Sequence, residues 1–360
     1  MSPDAKLANE LLAEVFERYI PTYPTCPPFR GDGSPTTLAQ VCSRWRSVAH
    51  GTPALWRAVK LDLIKDIALG MTRQTRLDIA QTWLERSYPL PLSIVFRCPT
   101  NRTLILAEAF AMLLSYSSHW QYANIMVPAA LPVQMQAKGE RRDMPMLVGI
   151  NVDVRSNDTE PHLGLLHVPA LQTFIGQLTD DSYYLKMITS DVWRNLTTLK
   201  LRDIALADAA PILSQTQALV KLWLDIWNPA TARMPAICLP NLETMILEGG
   251  SEDDEASVLI NALTLPALRC LGFPDDFISV FAPGATVTYV QGLLRLVTTL
   301  GCGGSLTKLA MSDCYSSRVL LMDDILAALP SVRRLYLKRD EWPLAVEDLW
   351  DSKTVLEQCR

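Results

Sequence analysis

The sequence lacks paired cysteines, clustered histidines and long unbroken apolar runs, and each absence removes a class of protein. None of its eight cysteines forms a C-x-x-C pair or stands at ligand spacing from one of the four histidines, which argues against a zinc site. The longest apolar run, residues 104–114, contains Glu108 and is too short to span a bilayer. The first ten residues carry acidic side chains and no apolar segment, so we expect no secretory signal there.

An excess of basic residues is missing too. Lys and Arg number 33 against 38 Asp and Glu, and the resulting net charge of −5 predicts neither nucleic acid nor an anionic membrane surface as a partner. Cysteines such as Cys42 and Cys270 stand in apolar patterns, as free buried thiols of a reducing compartment do. With 49% hydrophobic residues, we expect a folded protein of the cytosol or nucleus.

Motifs for catalysis are scarce. His162 and His167 lie five residues apart without the H-E-x-x-H spacing of a metalloprotease, so we interpret them as surface or core histidines. The glycine-rich stretch 301–305 lacks the Lys-Ser/Thr pair of a phosphate-binding loop. We therefore expect a protein that is not an enzyme and needs no cofactor or metal.

The sequence does contain two amphipathic segments near its N-terminus. Apolar residues at helical spacing predict one continuous helix from residue 37 to about 50, ended by a left-handed cap at Gly51. A second stripe, Leu7, Leu11, Val15, Phe16 and Tyr19, predicts a helix that packs against the first. So small a helical unit leaves apolar surface exposed unless it packs against a partner or against the next domain.

The rest of the chain repeats an L-x-x-L-x-L element. Its copies start at Tyr122, Leu147, Leu171, Leu196, Leu219, Leu242, Leu268, Leu306 and Val332. Successive starts are 23 to 26 residues apart except for one interval of 38, which holds an insertion near residues 274–290. This period is typical of leucine-rich repeats, in which each unit supplies one strand and one return helix. We predict an α/β fold with parallel strands on a concave face and helices outside.

The N-terminal pattern resembles the F-box, in the variant common among mushroom proteins. The likeness is carried by LANELLAEVF (Leu7 to Phe16), LAQVCSRWRSVA (Leu38 to Ala49) and the pair Leu55-Trp56. Two departures are an alanine at position 8, where the family has proline, and a long loop over residues 21–35. The resemblance implies that the segment binds the small adaptor subunit of an SCF ubiquitin ligase, and a cullin through it. The implied adaptor contacts are Leu7, Leu11, Val15, Phe16, Leu38, Val41, Cys42 and Trp45.

The positions between the repeated leucines predict a second surface. On a leucine-rich repeat these side chains point away from the helices, and here they combine an aromatic residue, arginines and alternating charges, as binding surfaces do. They are Lys200, Arg202, Trp223, Asp225, Ile246, Glu248, Lys308, Arg334, Tyr336 and Lys338. An open alternative is that the C-terminal tail or the insertion covers Trp223.

Together these patterns predict three regions: an F-box helical domain over residues 1–60, a leucine-rich-repeat-like solenoid over 61–350 and a tail over 351–360. The expected function is recognition of a protein substrate for ubiquitination. A repeat scaffold that has no role in ubiquitination is the alternative. The sequence leaves the substrate unidentified, because concave-face residues follow no code.

Overall fold

The computed structural model describes most of the chain in eleven stretches. They are residues 7–62, 72–98, 103–128, 142–155, 166–178, 190–226, 234–249, 253–275, 277–281, 288–312 and 322–337. These residues divide into two compact units, with the change between Leu171 and Gln172. The predicted tail over 351–360 and the predicted site residue Lys338 lie outside the described stretches.

The first unit opens with short helices and continues with strands. Its helices are α1 (Asn9–Tyr19), α2 (Pro35–Val41), α3 (Ser43–His50), α4 (Arg73–Ser87) and α5 (Thr103–Leu114), with single 3₁₀ turns at Pro53–Leu55 and Ser117–His119. Its strands are β1 (Ala58–Asp62), β2 (Leu92–Arg97), β3 (Trp120–Pro128), β4 (Arg142–Asp143), β5 (Gly149–Arg155) and β6 (Leu166–His167). Strands β1, β2, β3 and β5 pair in that order, all parallel, and β4 pairs with β6.

The register of this sheet corrects one predicted repeat. Ala123 of β3 lies opposite Ile150 of β5, and Ile125 lies opposite Val152. The repeat therefore starts at Trp120, which is buried, and not two residues later at Tyr122, which is half-buried. The apolar spacing of the sequence is compatible with a start at Trp120 or at Tyr122, because residues two apart on a strand lie on the same face.

Residues that follow α1 and α3 contact α4 and the first strands through one ring contact and two hydrogen bonds. Trp56 is fully buried and meets the ring of Trp83 in α4, with 5.4 Å between centroids. In the loop before α2, Tyr23 donates a hydrogen bond to Gln121 Oε1 over 2.9 Å, and Ser93 donates one to the carbonyl of Pro24 over 2.8 Å. Residues 7–62 thus belong to the same compact unit as the strands that follow, although the sequence suggested a boundary near residue 60.

The second unit repeats a strand-and-helix pattern. Its strands are β7 (Thr173–Leu178), β8 (Thr198–Ile204), β9 (Lys221–Ile226), β10 (Ile237–Cys238), β11 (Thr244–Gly249), β12 (Leu263–Thr264), β13 (Cys270–Pro274), β14 (Lys308–Ser312) and β15 (Arg334–Leu337). Its helices are α6 (Ser190–Trp193), α7 (Leu206–Leu213), α8 (Asp253–Ala262), α9 (Phe277–Phe281), α10 (Tyr289–Thr299) and α11 (Met322–Ala328). Four of them, α7, α8, α10 and α11, lie between successive strands of the repeats, as return helices do.

Here the predicted repeats align residue for residue. Strands β7, β8, β9, β11, β13, β14 and β15 pair in that order, all parallel. The middle apolar residue of each element is the Cα partner of the next, giving one row of Phe174, Leu199, Leu222, Met245, Leu271, Leu309 and Leu335. Most of this row is buried, so the repeated spacing does report one continuous core.

These elements confirm the expected mixed α/β class with parallel strands, four of which pair in chain order in the first unit and seven in the second. The insertion contributes the short helix α9, where Phe277 and Ile278 are buried. Among the described residues, no helix combines the length and the apolar character that a membrane crossing requires.

Candidate protein-docking surface

The predicted helix over residues 37–50 is in fact two helices that meet at Cys42. This residue has an extended backbone (φ −157°, ψ 172°), and its Sγ accepts a hydrogen bond from the backbone N–H of Trp45 over 3.4 Å, so it caps α3. The predicted left-handed cap at Gly51 is also wrong, since φ there is −85°. Apolar spacing missed the break because the stripe resumes in phase beyond it. One consequence is that Val41, the last residue of α2, is 57% exposed.

Helix α1 carries an exposed apolar ridge, defined by Leu7, Leu11, Val15 and Tyr19. Leu11, Val15 and Tyr19 follow one another at intervals of four within the helix, which places them on one face, and Leu7 lies two residues before the helix begins. Leu11 is 50% exposed and Val15 is 52% exposed. With Val41 they make up five of the eight large apolar side chains that are exposed in the described part of the chain. So dense a group of exposed apolar residues is typical of a protein-docking surface.

A neighbouring face of α1 packs against α3. Leu12 and Phe16 are buried there, and the ring of Phe16 packs against Trp45 of α3 with 4.9 Å between centroids. Arg44 of α3 donates hydrogen bonds to Asn9 Oδ1 and to the carbonyl oxygen of Leu7 at the start of α1. The buried side chains and the Arg44 contacts fix the orientation in which the ridge is presented.

The eight predicted adaptor contacts fall into three groups. Leu7, Leu11, Val15, Val41 and Cys42 are exposed and free to meet a partner, while Trp45 is half-buried. Phe16 and Leu38 need correction as contacts, because they are buried in the core between the helices, where a partner cannot reach them. Sequence periodicity could not separate the two sides of α1, since apolar residues cover both. Arg44 was missed as a positioning residue because a charged residue on a polar face gives no signal.

A surface cleft of about 490 Å³ adjoins the ridge at the C-terminal end of α1. Glu14, Glu17 and Arg18 line one side, and Tyr23 and Arg57 line the other. The guanidinium carbon of Arg57 stands 3.8 Å from the centre of the Tyr23 ring. Charges of both signs at the margin of an apolar patch resemble the polar rim of an interface.

Neither the family models nor the curated proteins searched contain a match to this chain.

The second predicted surface, between the repeated leucines, has a middle row that is largely buried. Its middle row consists of Ile175, Lys200, Trp223, Ile246, Gly272, Ala310 and Tyr336, which are Cα partners across the seven strands. Lys200 is 2% exposed, and Trp223 and Ile246 are buried with it. The expectation that these three side chains form a free binding face is therefore wrong. Burial of the strand face depends on contacts distant in sequence, which the spacing of one strand cannot report.

Lys200 is buried against an aromatic ring. Its Nζ lies 3.0 Å from the centre of the Trp223 ring, so a cation–π contact compensates part of the lost hydration. The remaining predicted residues on this face differ in exposure. Arg202, Asp225, Glu248, Lys308 and Tyr336 are half-buried, and Arg334 is exposed.

Two carboxylates at the ends of neighbouring strands are perturbed by this burial. Asp225 of β9 and Glu248 of β11 are Cα partners. Burial raises the pKa of the Asp225 carboxyl and the charge of Asp203 raises it further, while Arg202 and Lys200 oppose the change. Burial likewise raises the pKa of Glu248, against a hydrogen bond from the Trp223 side chain that lowers it.

The raised pKa of Asp225 predicts how the stability of the fold depends on pH. Because the folded state holds the proton at a higher pH than the unfolded chain, this carboxyl contributes less stability as pH rises above its ordinary value of 3.8. We expect Asp225→Asn to gain stability relative to the native chain between pH 4 and pH 7, as measured by urea unfolding at each pH. Glu248→Gln should change in the same direction. A difference in unfolding free energy that stays constant with pH would contradict the prediction.

The described residues contain no group of three or more histidine, cysteine or acidic side chains that could hold a metal ion. His167 contacts Asp143 through Nδ1 over 3.1 Å, as strands β6 and β4 pair. His162 lies outside the described stretches.

Proposed function

We propose that this protein is a substrate-recognition subunit of an SCF-type ubiquitin ligase, in which the N-terminal helices bind the adaptor subunit. The observation that carries the proposal is the exposed ridge of α1 together with Val41. A helix whose inner face is buried on Phe16 and whose outer face is also apolar is incomplete without a partner. The F-box-like sequence pattern indicates the class of partner, and the ridge is the surface that this partner would contact.

We also propose that the parallel strands in each unit belong to a leucine-rich-repeat-like solenoid. What supports it is the row of apolar Cα partners, from Phe174 to Leu335, that recurs at the period of the repeats. In this account the repeats hold a substrate near a ubiquitin-loaded enzyme and raise the effective concentration of its lysines. The chain itself catalyses no step, and it acts in the cytosol or nucleus.

Substitutions on the ridge test the adaptor proposal. Leu11→Glu combined with Val15→Glu should weaken binding of a purified SCF adaptor subunit by about 100-fold or more. Two apolar contacts of about 1–2 kcal/mol each are lost, two carboxylates must be desolvated, and about 1.4 kcal/mol corresponds to tenfold in affinity. Fluorescence anisotropy with a labelled adaptor measures the dissociation constants.

The matched control is Ala111→Glu combined with Ser115→Glu, which adds the same charge at two exposed positions four residues apart and outside the ridge. This control should bind as the native chain does. If the native chain and the ridge variant bind the adaptor equally weakly, the ligase proposal fails. The repeat scaffold without a role in ubiquitination would then be the better account.

A further inference from the structure

The first unit also holds a group of basic side chains around Trp56. The imidazole of His50 meets the Trp56 ring edge-on, with 5.9 Å between centroids. On the same indole, the guanidinium carbon of Arg86 lies 4.8 Å from the ring centre. Trp56 is fixed, because it is fully buried and its Nε1–H donates to the carbonyl of Ala49 over 2.7 Å. The fixed ring of Trp56 therefore positions the basic side chains of both His50 and Arg86.

Arg46 adds a third basic side chain to this group. It lies four residues before His50 on α3, which places the two side chains on one helix face. Its Nε donates to the carbonyl of Ala39 over 3.0 Å, so the guanidinium is held in place. Arg46 and His50 are exposed and Arg86 is half-buried, which leaves the group open to solvent.

The charges around His50 have one sign. Burial lowers the pKa of its imidazole, and the positive charges of Arg86 and Arg46 lower it further. Glu85 is the acidic residue that acts on Arg86, where its charge opposes the lowering of the Arg86 pKa by burial. Glu85 itself is exposed and accepts a hydrogen bond from Gln81 over 3.1 Å. Protonation of His50 beside Arg46 and Arg86 is therefore unfavourable unless an anion binds there.

We propose that Arg46, His50 and Arg86 form a binding site for a phosphate group. Guanidinium groups donate two parallel hydrogen bonds to phosphate oxygens, and the imidazole can add a third donor group. A dianion would offset the mutual repulsion of the three side chains. The same chemistry fits a free phosphate ion and a phosphorylated side chain of another protein. This site is separate from the apolar ridge and does not depend on adaptor binding.

Binding and protonation of His50 are linked. An anion beside the ring favours the imidazolium form, so a bound anion raises the pKa of His50 and affinity increases as pH falls. Sulfate is a suitable probe for this linkage, because its charge is constant over the pH range in which histidine titrates.

The test is a proton–carbon NMR titration of the imidazole signals of the full chain. There are four histidines, so His50→Gln assigns the signal of interest. We expect sulfate to raise the pKa of His50 saturably relative to chloride at equal ionic strength. Arg86→Gln should weaken the apparent affinity about tenfold, since a hydrogen bond to a charged group contributes about 1.5–3 kcal/mol. Arg194→Gln, which removes one exposed charge from the second unit, is the matched control and should bind as the native chain does.

Two further additions, made at one pH, distinguish the source of the phosphate group. Equal affinity for inorganic phosphate and for O-phosphoserine would assign the site to the free ion, and tighter binding of phosphoserine would assign it to a phosphorylated chain. Unchanged signals of the other histidines in Arg86→Gln report that the variant is folded. The same pKa of His50 in sulfate and chloride, or an equal shift in folded Arg86→Gln, would overturn the proposal.

Discussion

Alanine in place of Gly249 is expected to lower the free energy of unfolding of the second unit by about 2–5 kcal/mol. Gly249 ends β11 with a left-handed backbone (φ 73°) and is the Cα partner of Ile226. A Cβ there would overlap the Ile226 carbonyl oxygen and approach Asp225 Oδ1 to 2.9 Å. Left-handed strain costs about 1–2 kcal/mol for a residue with a side chain, and overpacking adds about 1–3 kcal/mol.

Two glycines of the same unit serve as controls for the Gly249→Ala experiment. Gly301 has a similar backbone (φ 72°), but an added Cβ would meet only the Thr264 side chain, at an ordinary 3.9 Å. Gly301→Ala should therefore lower the free energy of unfolding by the backbone strain alone. Alanine at Gly304 meets nothing within 4 Å and should be nearly neutral. Urea unfolding of the three variants separates strain from overlap. A Gly249→Ala variant no less stable than Gly301→Ala would contradict the close approach of β11 to β9.

Phe16→Ala is expected to destabilise the N-terminal helices by about 3–5 kcal/mol, the usual cost of removing a buried phenylalanine. Phe16 is fully buried and supports Trp45, so its loss leaves a cavity beneath the ridge. Leu11→Ala, one turn away on the exposed face, should change stability by no more than about 0.5 kcal/mol. Hydrogen exchange of the α1 and α3 amides measures the difference.

The Phe16 and Leu11 variants should also differ in how they lose adaptor binding. Leu11→Ala removes a contact and leaves the helices intact, whereas Phe16→Ala weakens binding because the ridge is no longer held in position. If the two variants had equal stability, the division of α1 into a buried face and a docking face would be wrong.

Much of the repeat register could be predicted from the sequence. The spacing of Leu199, Leu222 and Met245 is a local property, and two matching intervals suffice to align three parallel strands. The start of the repeat at Trp120 was missed, because residues two apart on a strand satisfy the same pattern.

The candidate sites were less predictable than the core. Cys42 divides the expected helix through backbone geometry that its apolar neighbours conceal. Lys200 and Trp223 have the composition of an exposed binding surface, yet they are buried. What covers a strand face is decided by contacts remote in sequence. In α1 the helical period groups Phe16 with Leu11 and Val15 in one stripe, and it does not state which of them faces Trp45.

Isothermal titration of the intact chain with a purified SCF adaptor subunit tests adaptor docking most directly. The account predicts one-to-one association with a negative heat-capacity change, because docking removes the apolar ridge of α1 from water. It also predicts that this signal is lost in the Leu11→Glu, Val15→Glu variant. Absence of binding by the folded native chain at several temperatures, or equal binding by that variant, would contradict the account.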